Sequence, residues 1–251
     1  MDPMLDFTGK TVLITGAASG FGKLLATELS SRGAHLVLGD IDTAGLDRVA
    51  SDLGDNVAVQ KCDVSLENDC SSLVALAIQR FGQLDIAVNN AGIAHAQAKS
   101  IDLTEEVFDR QMNVNVKSVM FGMKYQIPEM LKVGGGSILN VSSLAGILGA
   151  PKSGAYAAAK HAVVGLTRTA AVEYGRQNVR VNAVCPFFSP TNIGDGFLQD
   201  DANLDFLAGG CPMKRIGRVE EMVSAMLMIL SPANSFMSGQ TIAVDGATTA
   251  I

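Results

Sequence analysis

Residues Thr11 to Gly22 read T-V-L-I-T-G-A-A-S-G-F-G, and the run behind them, Leu24 to Arg32, has the composition of a helix. A short β-branched apolar segment, a glycine-rich turn and a helix make the opening unit of a parallel α/β sheet. Such a turn also has a chemical use. Glycines allow the tight bend and let backbone N–H groups approach a phosphate, and the helix N-terminus adds partial positive charge. The glycines fall at Gly16, Gly20 and Gly22, which is G-x-x-x-G-x-G and not G-x-G-x-x-G. Gly-rich turns are common after strands, so this unit takes its meaning from the rest of the chain.

A second strand, His35 to Gly39, ends at Asp40, eighteen residues after Gly22. A carboxylate there suits ribose hydroxyls and repels a 2′-phosphate. The next residue is Ile41, with no Arg or Lys, and Ser19 in the turn is uncharged. The pattern therefore favours NAD over NADP.

The alternation continues. Val57 to Gln60 reads as a third strand, followed by Cys62-Asp63-Val64. Ser65 to Phe81 is a helix with Ser65 as its N-cap and acid in the first turn. Leu84 to Val88 is a fourth strand that runs into Asn89-Asn90-Ala91-Gly92. Glu105 to Lys132 reads as one long helix holding Asn113 and Asn115, which cost helix propensity and call for a reason. Gly136 to Ser142 is strand five, Ala155 to Tyr174 a helix, Val179 to Cys185 strand six, Val219 to Leu230 a helix and Gln240 to Asp245 strand seven. This order predicts an α/β fold: a doubly wound, seven-stranded parallel sheet with helices on both faces, in one domain over 1–251. Pro186 to Pro212 reads as irregular. The excursion from Phe187 to Gly217, between the last two strands, is expected to cover a substrate.

The chemistry concentrates between Ser143 and Lys160. Tyr156 and Lys160 lie four apart in an alanine-rich helical run, so they share a face one turn apart. Neither a free phenol nor a free ammonium is a useful base at neutral pH. An ammonium placed beside a phenol favours the phenolate and moves it toward a working acid/base pKa. Ser143 follows the apolar run of strand five and would stand at its C-terminal end, where open α/β sheets bind ligands.

Composition bounds the alternatives. Hydrophobic residues make up 48% of the 251 and charged residues 18%, as in a compact globular protein. A net charge of −6 with scattered basic residues argues against nucleic acid or an anionic membrane surface as partner. No apolar run reaches the length of a membrane span, and Met1 to Lys10 lacks the apolar core of a signal peptide. Cys62, Cys70, Cys185 and Cys211 have neither paired nor metal-ligand spacing, which suits reduced thiols in a cytoplasmic protein without a metal site.

Together these features resemble the short-chain dehydrogenase/reductase family, in its branch of roughly 250 residues, from end to end. The residues that carry the resemblance are Thr15 to Gly22, Asp40, Cys62 to Val64, Asn89 to Gly92, Asn115, Ser143, Tyr156 with Lys160, and Thr191 five residues after Pro186. The resemblance implies that Tyr156 exchanges a proton with an alcohol or carbonyl oxygen, and that Lys160 lowers its pKa and holds the nicotinamide ribose. Ser143 would hydrogen-bond the reacting oxygen, and Asn115 would anchor a water-linked proton path near Lys160. Ser142 and Asn113 are the rivals of Ser143 and Asn115; the thirteen-residue spacing to Tyr156 and the segment V-N-V-K-S-V favour the latter pair. Cofactor contacts are expected from Gly16, Ser19, Gly20, Phe21, Gly22, Asp40, Ile41, Cys62, Asp63, Val64, Asn90, Ala91, Gly92, Tyr156, Lys160, Pro186, Ser189 and Thr191. One departure is Phe187, where the family usually has glycine; it is expected to reshape the pocket beside the nicotinamide.

The expected function is NAD-dependent interconversion of a secondary alcohol and its ketone. The alternatives are a dinucleotide-sensing or scaffold protein without turnover, and an NADP-preferring carbonyl or 3-oxoacyl reductase. Sugar alcohols, hydroxyacyl thioesters, steroids and small cyclic or vicinal diols all stay open as substrates. His95 reads as an exposed loop histidine in preference to a substrate contact, and His35 and His161 as structural. Lys152 reads as solvated, and Met222, Met226 and Met228 as a core helix face. The helix from Ala155 to Tyr174 carries only Lys160, Arg168 and Glu173 as full charges, so a second surface is expected to cover it. This helix and the similarly apolar Glu105 to Lys132 would both be buried by meeting their own copies around a two-fold axis, and the family resemblance implies the same pairing with a second two-fold that makes a homotetramer.

Overall fold

Seven short apolar runs form one parallel sheet in a computed structural model that describes residues 3–191, 193 and 201–250. They are β1 (Thr11–Thr15), β2 (His35–Asp40), β3 (Val57–Lys61), β4 (Ile86–Asn89), β5 (Gly136–Val141), β6 (Val179–Pro186) and β7 (Thr241–Val244). The strands lie in the order β3-β2-β1-β4-β5-β6-β7, and β1 pairs with β2 on one side and β4 on the other. The chain thus builds outward from β1 to β3, then returns to β4 and builds the other way. That reversal beside β1 is a topological switch point, and it leaves a crevice at the C-terminal strand ends.

Side chains of opposite parity along each strand feed two cores. Val12, Ile14, Leu36, Leu38, Ile86, Val88 and Leu139 pack on one face with α1 (Gly20–Ser30), α2 (Thr43–Leu53) and α8 (Val219–Leu230). Leu13, Val37, Ala87 and Ile138 pack on the other with α3 (Glu67–Phe81), α5 (Ser118–Lys132) and α6 (Gly154–Tyr174). Burial on both faces is why the strands read as continuous apolar runs. Full burial of one such leucine or isoleucine stabilises the fold by about 1.5–3 kcal/mol.

Polar groups inside this core are paired. Asn89 donates to Asn140 Oδ1 at 2.8 Å and accepts from Gln126 Nε2 at 2.9 Å, while Asn140 donates to Thr167 Oγ1 at 2.9 Å. This ladder ties β4 and β5 to α5 and α6, and so fixes the helix that carries Tyr156. Arg180 on β6 is buried and donates to Ser137 Oγ, to the Met237 carbonyl and to the Ile229 carbonyl in the last turn of α8. A cation there complements the negative end of that helix.

Several boundaries differ from the sequence reading for identifiable reasons. The first helix begins at Gly20, four residues before Leu24, because Gly20 supplies a positive φ and Gly22 leaves room for the Gly16 carbonyl. Ser65 is not the N-cap of α3, which starts at Glu67; the Asp63 carboxylate captures both the N–H and the hydroxyl of Ser65 in a local turn. α2 went unassigned in the sequence. It is capped by Asp42, which accepts from Gly45 N at 2.9 Å. Gly45 sits where a side chain would meet Ala18 Cβ at 2.7 Å, so the glycine that argues against a helix there is required by packing.

The long central helix is interrupted. It runs as α4 (Glu105–Met112), a π turn over Asn113–Lys117, and α5. The stretch expected to be irregular contains α7 (Asp201–Gly210), and residues 192 and 194–200 of it lie outside the described residues. Among the described residues no helix is long and apolar enough to cross a membrane.

Candidate active site

The glycine-rich turn is shaped by close backbone approach. Gly16 has φ +68°, and a Cβ there would lie 2.8 Å from Asn90 Nδ2 and 2.9 Å from Ala91 Cα. A Cβ at Gly22 would land on the Gly16 carbonyl oxygen. Asn90 Nδ2 donates to the carbonyls of Thr15 and Gly16, at 2.9 and 3.0 Å, which locks the turn to the end of β4. Thr15 Oγ1 accepts from the N–H groups of Asn90 and Ala91. Ser19 occupies the N-cap of α1 with no side-chain capping bond, and Phe21 follows it, partly buried, in the first turn. The orphan N–H groups of that turn therefore keep their capacity for an anion.

Asp40 closes the next strand. Its carboxylate accepts from Ala18 N at 2.9 Å and from Asp42 N at 3.0 Å, so it stands against the turn with its remaining lone pairs toward solvent. Ile41 beside it is 66% exposed, leaving no cation at this position. Cys62 and Val64 are buried after β3, and the Asp63 carboxylate holds Ser65. At the end of β6, Pro186 and Ser189 are buried; the Ser189 hydroxyl is sealed from solvent with no hydrogen-bond partner among the described residues. Thr191 donates its N–H to the Ser189 carbonyl, and its methyl would be 3.5 Å from a Cβ at Gly20. All of these residues line the C-terminal ends of the strands.

Tyr156 and Lys160 project from the first turns of α6 at the same end. Ser143, at the end of β5, lies close enough to the Tyr156 hydroxyl to favour its ionised form, and its Oγ accepts from Ala145 N at 3.2 Å. Ser142 is turned the other way and donates to the Lys160 carbonyl at 2.9 Å, so it pins α6 and leaves Ser143 facing the phenol. Lys160 is 2% exposed, its Nζ lies 5.6 Å from the centre of the Tyr156 ring, and it donates to the Val141 carbonyl at 2.9 Å.

The electrostatics differ from the sequence expectation. Burial pushes the Tyr156 phenol above its ordinary value, with Ser143 opposing that shift. The ammonium is not the leading influence on the phenol. Burial also pulls Lys160 down to about 8, because a charged ammonium loses water there and gains only a carbonyl and the distant Cys185 in return.

Asn115 explains the interrupted helix. The π turn carries it inward, where Nδ2 donates to the Ile93 carbonyl at 2.9 Å and Oδ1 accepts from Ile93 N at 3.0 Å. Short π segments of this kind are frequent at functional sites. A Cβ on Gly92 would meet Asn115 Oδ1 at 2.8 Å and Lys160 Nζ at 3.3 Å, so Gly92 sits between the two and admits their approach. Asn113 makes no such contact among the described hydrogen bonds.

Three contributors were not read from the sequence. Gln111 is buried and accepts from Asn115 Nδ2 at 2.8 Å; its place four residues before Asn115 was the available signal. The hydrogen-bonding role of Thr15, a residue already within the quoted turn motif, and the Val141 carbonyl are the others. The first could have been found as the residue before Gly16, while the second carries no signature at all.

His95 departs from its reading as an exposed loop residue, since its Nε2 is sealed from solvent. Phe187 and Phe188 pack edge to face with centroids 5.2 Å apart. Phe187 lines a cavity of about 170 Å³ with Met213, Met222 and Val244, and a second, more open one with Phe206 and Thr248. Both lie on the β7 side, and neither has Tyr156 in its wall.

Comparison with known proteins identifies the family and the fold. A family model described as enoyl-(acyl carrier protein) reductase matches residues 16–249. The 2,5-dichloro-2,5-cyclohexadiene-1,4-diol dehydrogenase of Sphingobium indicum is 39% identical over 250 residues, 99% of this chain and 100% of that one. The cyclohexanol dehydrogenase of Acinetobacter sp. is 36% identical over 246 residues, 97% of this chain and 96% of that one. Among solved structures, a 3-ketoacyl-(acyl-carrier-protein) reductase from Brucella melitensis complexed with NADH superposes with a TM-score of 0.91 at 33% identity, covering 97% of this chain and 100% of that one. ElxO with NADP bound gives 0.91 at 30% identity over 96% of this chain and 99% of that one. On the strength of this end-to-end agreement in sequence and fold, the chain belongs to the short-chain dehydrogenase/reductase family and is an oxidoreductase of alcohols and ketones.

Proposed function

We propose that this protein is an NAD-dependent dehydrogenase of a cyclic secondary alcohol, with Tyr156 as its acid/base. The observation that carries the reading is the buried Lys160, its Nζ 5.6 Å from the centre of the Tyr156 ring and held by the Val141 carbonyl, with Ser143 at the end of the same strand. The family binds a nicotinamide dinucleotide, and the residues present fit one. Gly16 and Gly22 leave a cradle that any side chain would fill, and the Ser189 hydroxyl is a buried polar group without a partner among the described residues. Gly16, Ser19, Gly20, Phe21 and Gly22 would hold its phosphates, Asp40 and Ile41 its adenosine ribose, and Cys62, Asp63 and Val64 its adenine. Asn90, Ala91, Gly92, Pro186, Ser189 and Thr191 would line the nicotinamide half. A nicotinamide held there would supply the hydride chemistry, taking hydride from the carbinol carbon or returning it to the carbonyl carbon.

The chain's own residues handle the proton and the orientation. Ser143 donates to the reacting oxygen and holds it against the Tyr156 hydroxyl. In oxidation Tyr156 takes the alcohol proton, and in reduction it gives one to the carbonyl oxygen. Lys160 is cationic at neutral pH and supplies the charge that a phenolate needs in a buried setting. Asn115 and Gly92 keep the wall beside Lys160 open to a water-linked proton path. Asp40 with no neighbouring cation supports NAD over NADP, since a 2′-phosphate would meet a carboxylate.

The names of two relatives, a cyclohexadiene-diol dehydrogenase and a cyclohexanol dehydrogenase, support a cyclic alcohol. Phe187 and Phe188 suit an apolar ring, and the excursion over 187–217 would serve as the substrate cover of one catalytic domain. Four buried free thiols support a cytoplasmic setting. A panel of secondary alcohols with NAD, followed by absorbance of the reduced nicotinamide, tests the reading. Turnover of cyclohexanol-type alcohols is expected, and no turnover of any cyclic alcohol would overturn it.

A further inference from the structure

Phe187 stands one residue past the end of β6, and the register of the sheet sets it beside Ser143. Val141 faces Val184 in the ladder, Ser142 N donates to the Val184 carbonyl at 2.9 Å, and Ser143 continues in extended conformation. Ser143 is therefore level with Pro186. With strands ~4.8 Å apart and a rise of ~3.3 Å per residue, the Cα atoms of Ser143 and Phe187 come within roughly 6 Å. Phe187 is also held from its other side. Its N–H donates to the Val244 carbonyl at 3.0 Å, the Phe188 carbonyl accepts from Gly217 N at 2.9 Å, and the Phe188 ring braces it edge to face.

This half-buried residue belongs to the wall of two hollows. One, of about 170 Å³, is lined also by Met213, Met222 and Val244; the other, of about 430 Å³, is lined also by Phe206, Leu207 and Thr248. Their polar groups are largely engaged within the protein. Arg215 and Glu221 in the first are joined by two hydrogen bonds, at 2.7 and 2.8 Å, and Asp245 accepts from Ala247 N and Thr249 N. In the second, Thr248 gives its hydroxyl proton to the Asp245 carbonyl, and Asp205 is turned to an exposed position.

Resting on the cyclic-alcohol reading above, we propose that Phe187 is a specificity-determining residue that limits the substrate to a single carbocyclic ring. An alcohol held by its oxygen at Ser143 and Tyr156 presents its ring to Phe187, and the ring packs in the larger hollow against Phe206 and Leu207. The smaller cavity lies behind Phe187. Its volume of about 170 Å³ suffices for one more six-membered ring, since an apolar cavity of about 150 Å³ takes benzene. Phe187 keeps that volume out of reach, so a fused second ring has to displace a residue tied through its backbone on both sides. Overfilling a packed site in this way weakens binding by about tenfold or more. The substrates are then monocyclic secondary alcohols, and fused-ring alcohols, steroids among them, are excluded.

The test compares kcat/KM with NAD for cyclohexanol and decahydro-2-naphthol in the unmodified enzyme, Phe187→Ala and Phe187→Leu. The unmodified enzyme is expected to favour cyclohexanol by about tenfold or more. Phe187→Ala, which joins the two hollows, should remove most of that preference. Phe187→Leu leaves a smaller apolar wall and should remove part of it, which gives the readout if the alanine variant does not fold. The ratio is taken within each variant, so a general loss of stability or of NAD affinity lowers both substrates and leaves it intact. An unchanged ratio in the folded variants, or equal use of the two alcohols by the unmodified enzyme, overturns the role of Phe187 and leaves the cyclic-alcohol reading in place. Turnover of no cyclic alcohol at all overturns both.

Discussion

Lys160 Nζ stands 5.6 Å from the centre of the Tyr156 ring and is held by the carbonyl of Val141. The two side chains are neighbours through their shared helix face, and it is Ser143 that acts to lower the phenol's pKa against its burial. This division of labour has a consequence. The ammonium is fixed by β5, the strand that also ends in Ser143, so acid/base group, oxygen-binding group and cation are referenced to one another through a single strand end.

The titration of Lys160 can be read from stability. Its folded pKa, about 8, lies below the ordinary lysine value, so between about 8 and 10.4 the unfolded chain holds a proton that the folded one has released. Unfolding then takes up a proton, and stability from this group rises with pH across that window. The stability of the unmodified protein relative to Lys160→Met should therefore climb by about 1–3 kcal/mol over the window. Denaturant titration at several pH values measures it. A flat difference would place the Lys160 pKa at its ordinary value.

Asp40 controls the cofactor. The unmodified enzyme should have the higher kcat/KM with NAD, and Asp40→Ala should narrow its ratio to NADP by about tenfold, equivalent to about 1.4 kcal/mol. The same substitution frees Ala18 N and Asp42 N, so both absolute values should fall and only the ratio is diagnostic. Equal efficiency with both cofactors in the unmodified enzyme would remove the argument from Asp40 and Ile41.

Assembly is the third expectation. Val172 on α6 is 85% exposed, and Met120 on α5 is 44% exposed. Two largely apolar helices that meet their own copies around a two-fold axis would bury both. Light scattering should give four times the 26.2 kDa of one chain. A mass of one chain would reject the interface, and a mass of two would leave only the first.

The fold was legible because its signals are local. β1 coincides with the run T-V-L-I-T, and Gly16 and Gly22 marked a backbone approach that leaves no room for a side chain. The spacing of Ser143, Tyr156 and Lys160 was legible for the same reason, since strand end and helix face are set within eighteen residues. What escaped depends on distant backbone. Nothing in the sequence shows that the Val141 carbonyl would take up Lys160, or that Ile93 would draw Asn115 inward and open a π turn. Gly45 concealed α2 because a packing requirement at Ala18 outweighed helix propensity. His95 looked solvated because the loop's anchors, at Asn115 and Ser153, are far away in sequence.

The central claim, that Tyr156 moves the proton, is tested most directly by the turnover of Tyr156→Phe with NAD and a cyclic secondary alcohol, followed through the absorbance of reduced nicotinamide. The ring is kept and only the hydroxyl is lost, so the fold and NAD binding should survive, as thermal denaturation with and without NAD would show. The account predicts that kcat falls at least about 10²-fold, the scale of general acid/base catalysis; a variant that folds, binds NAD and turns over at nearly the unmodified rate would contradict it.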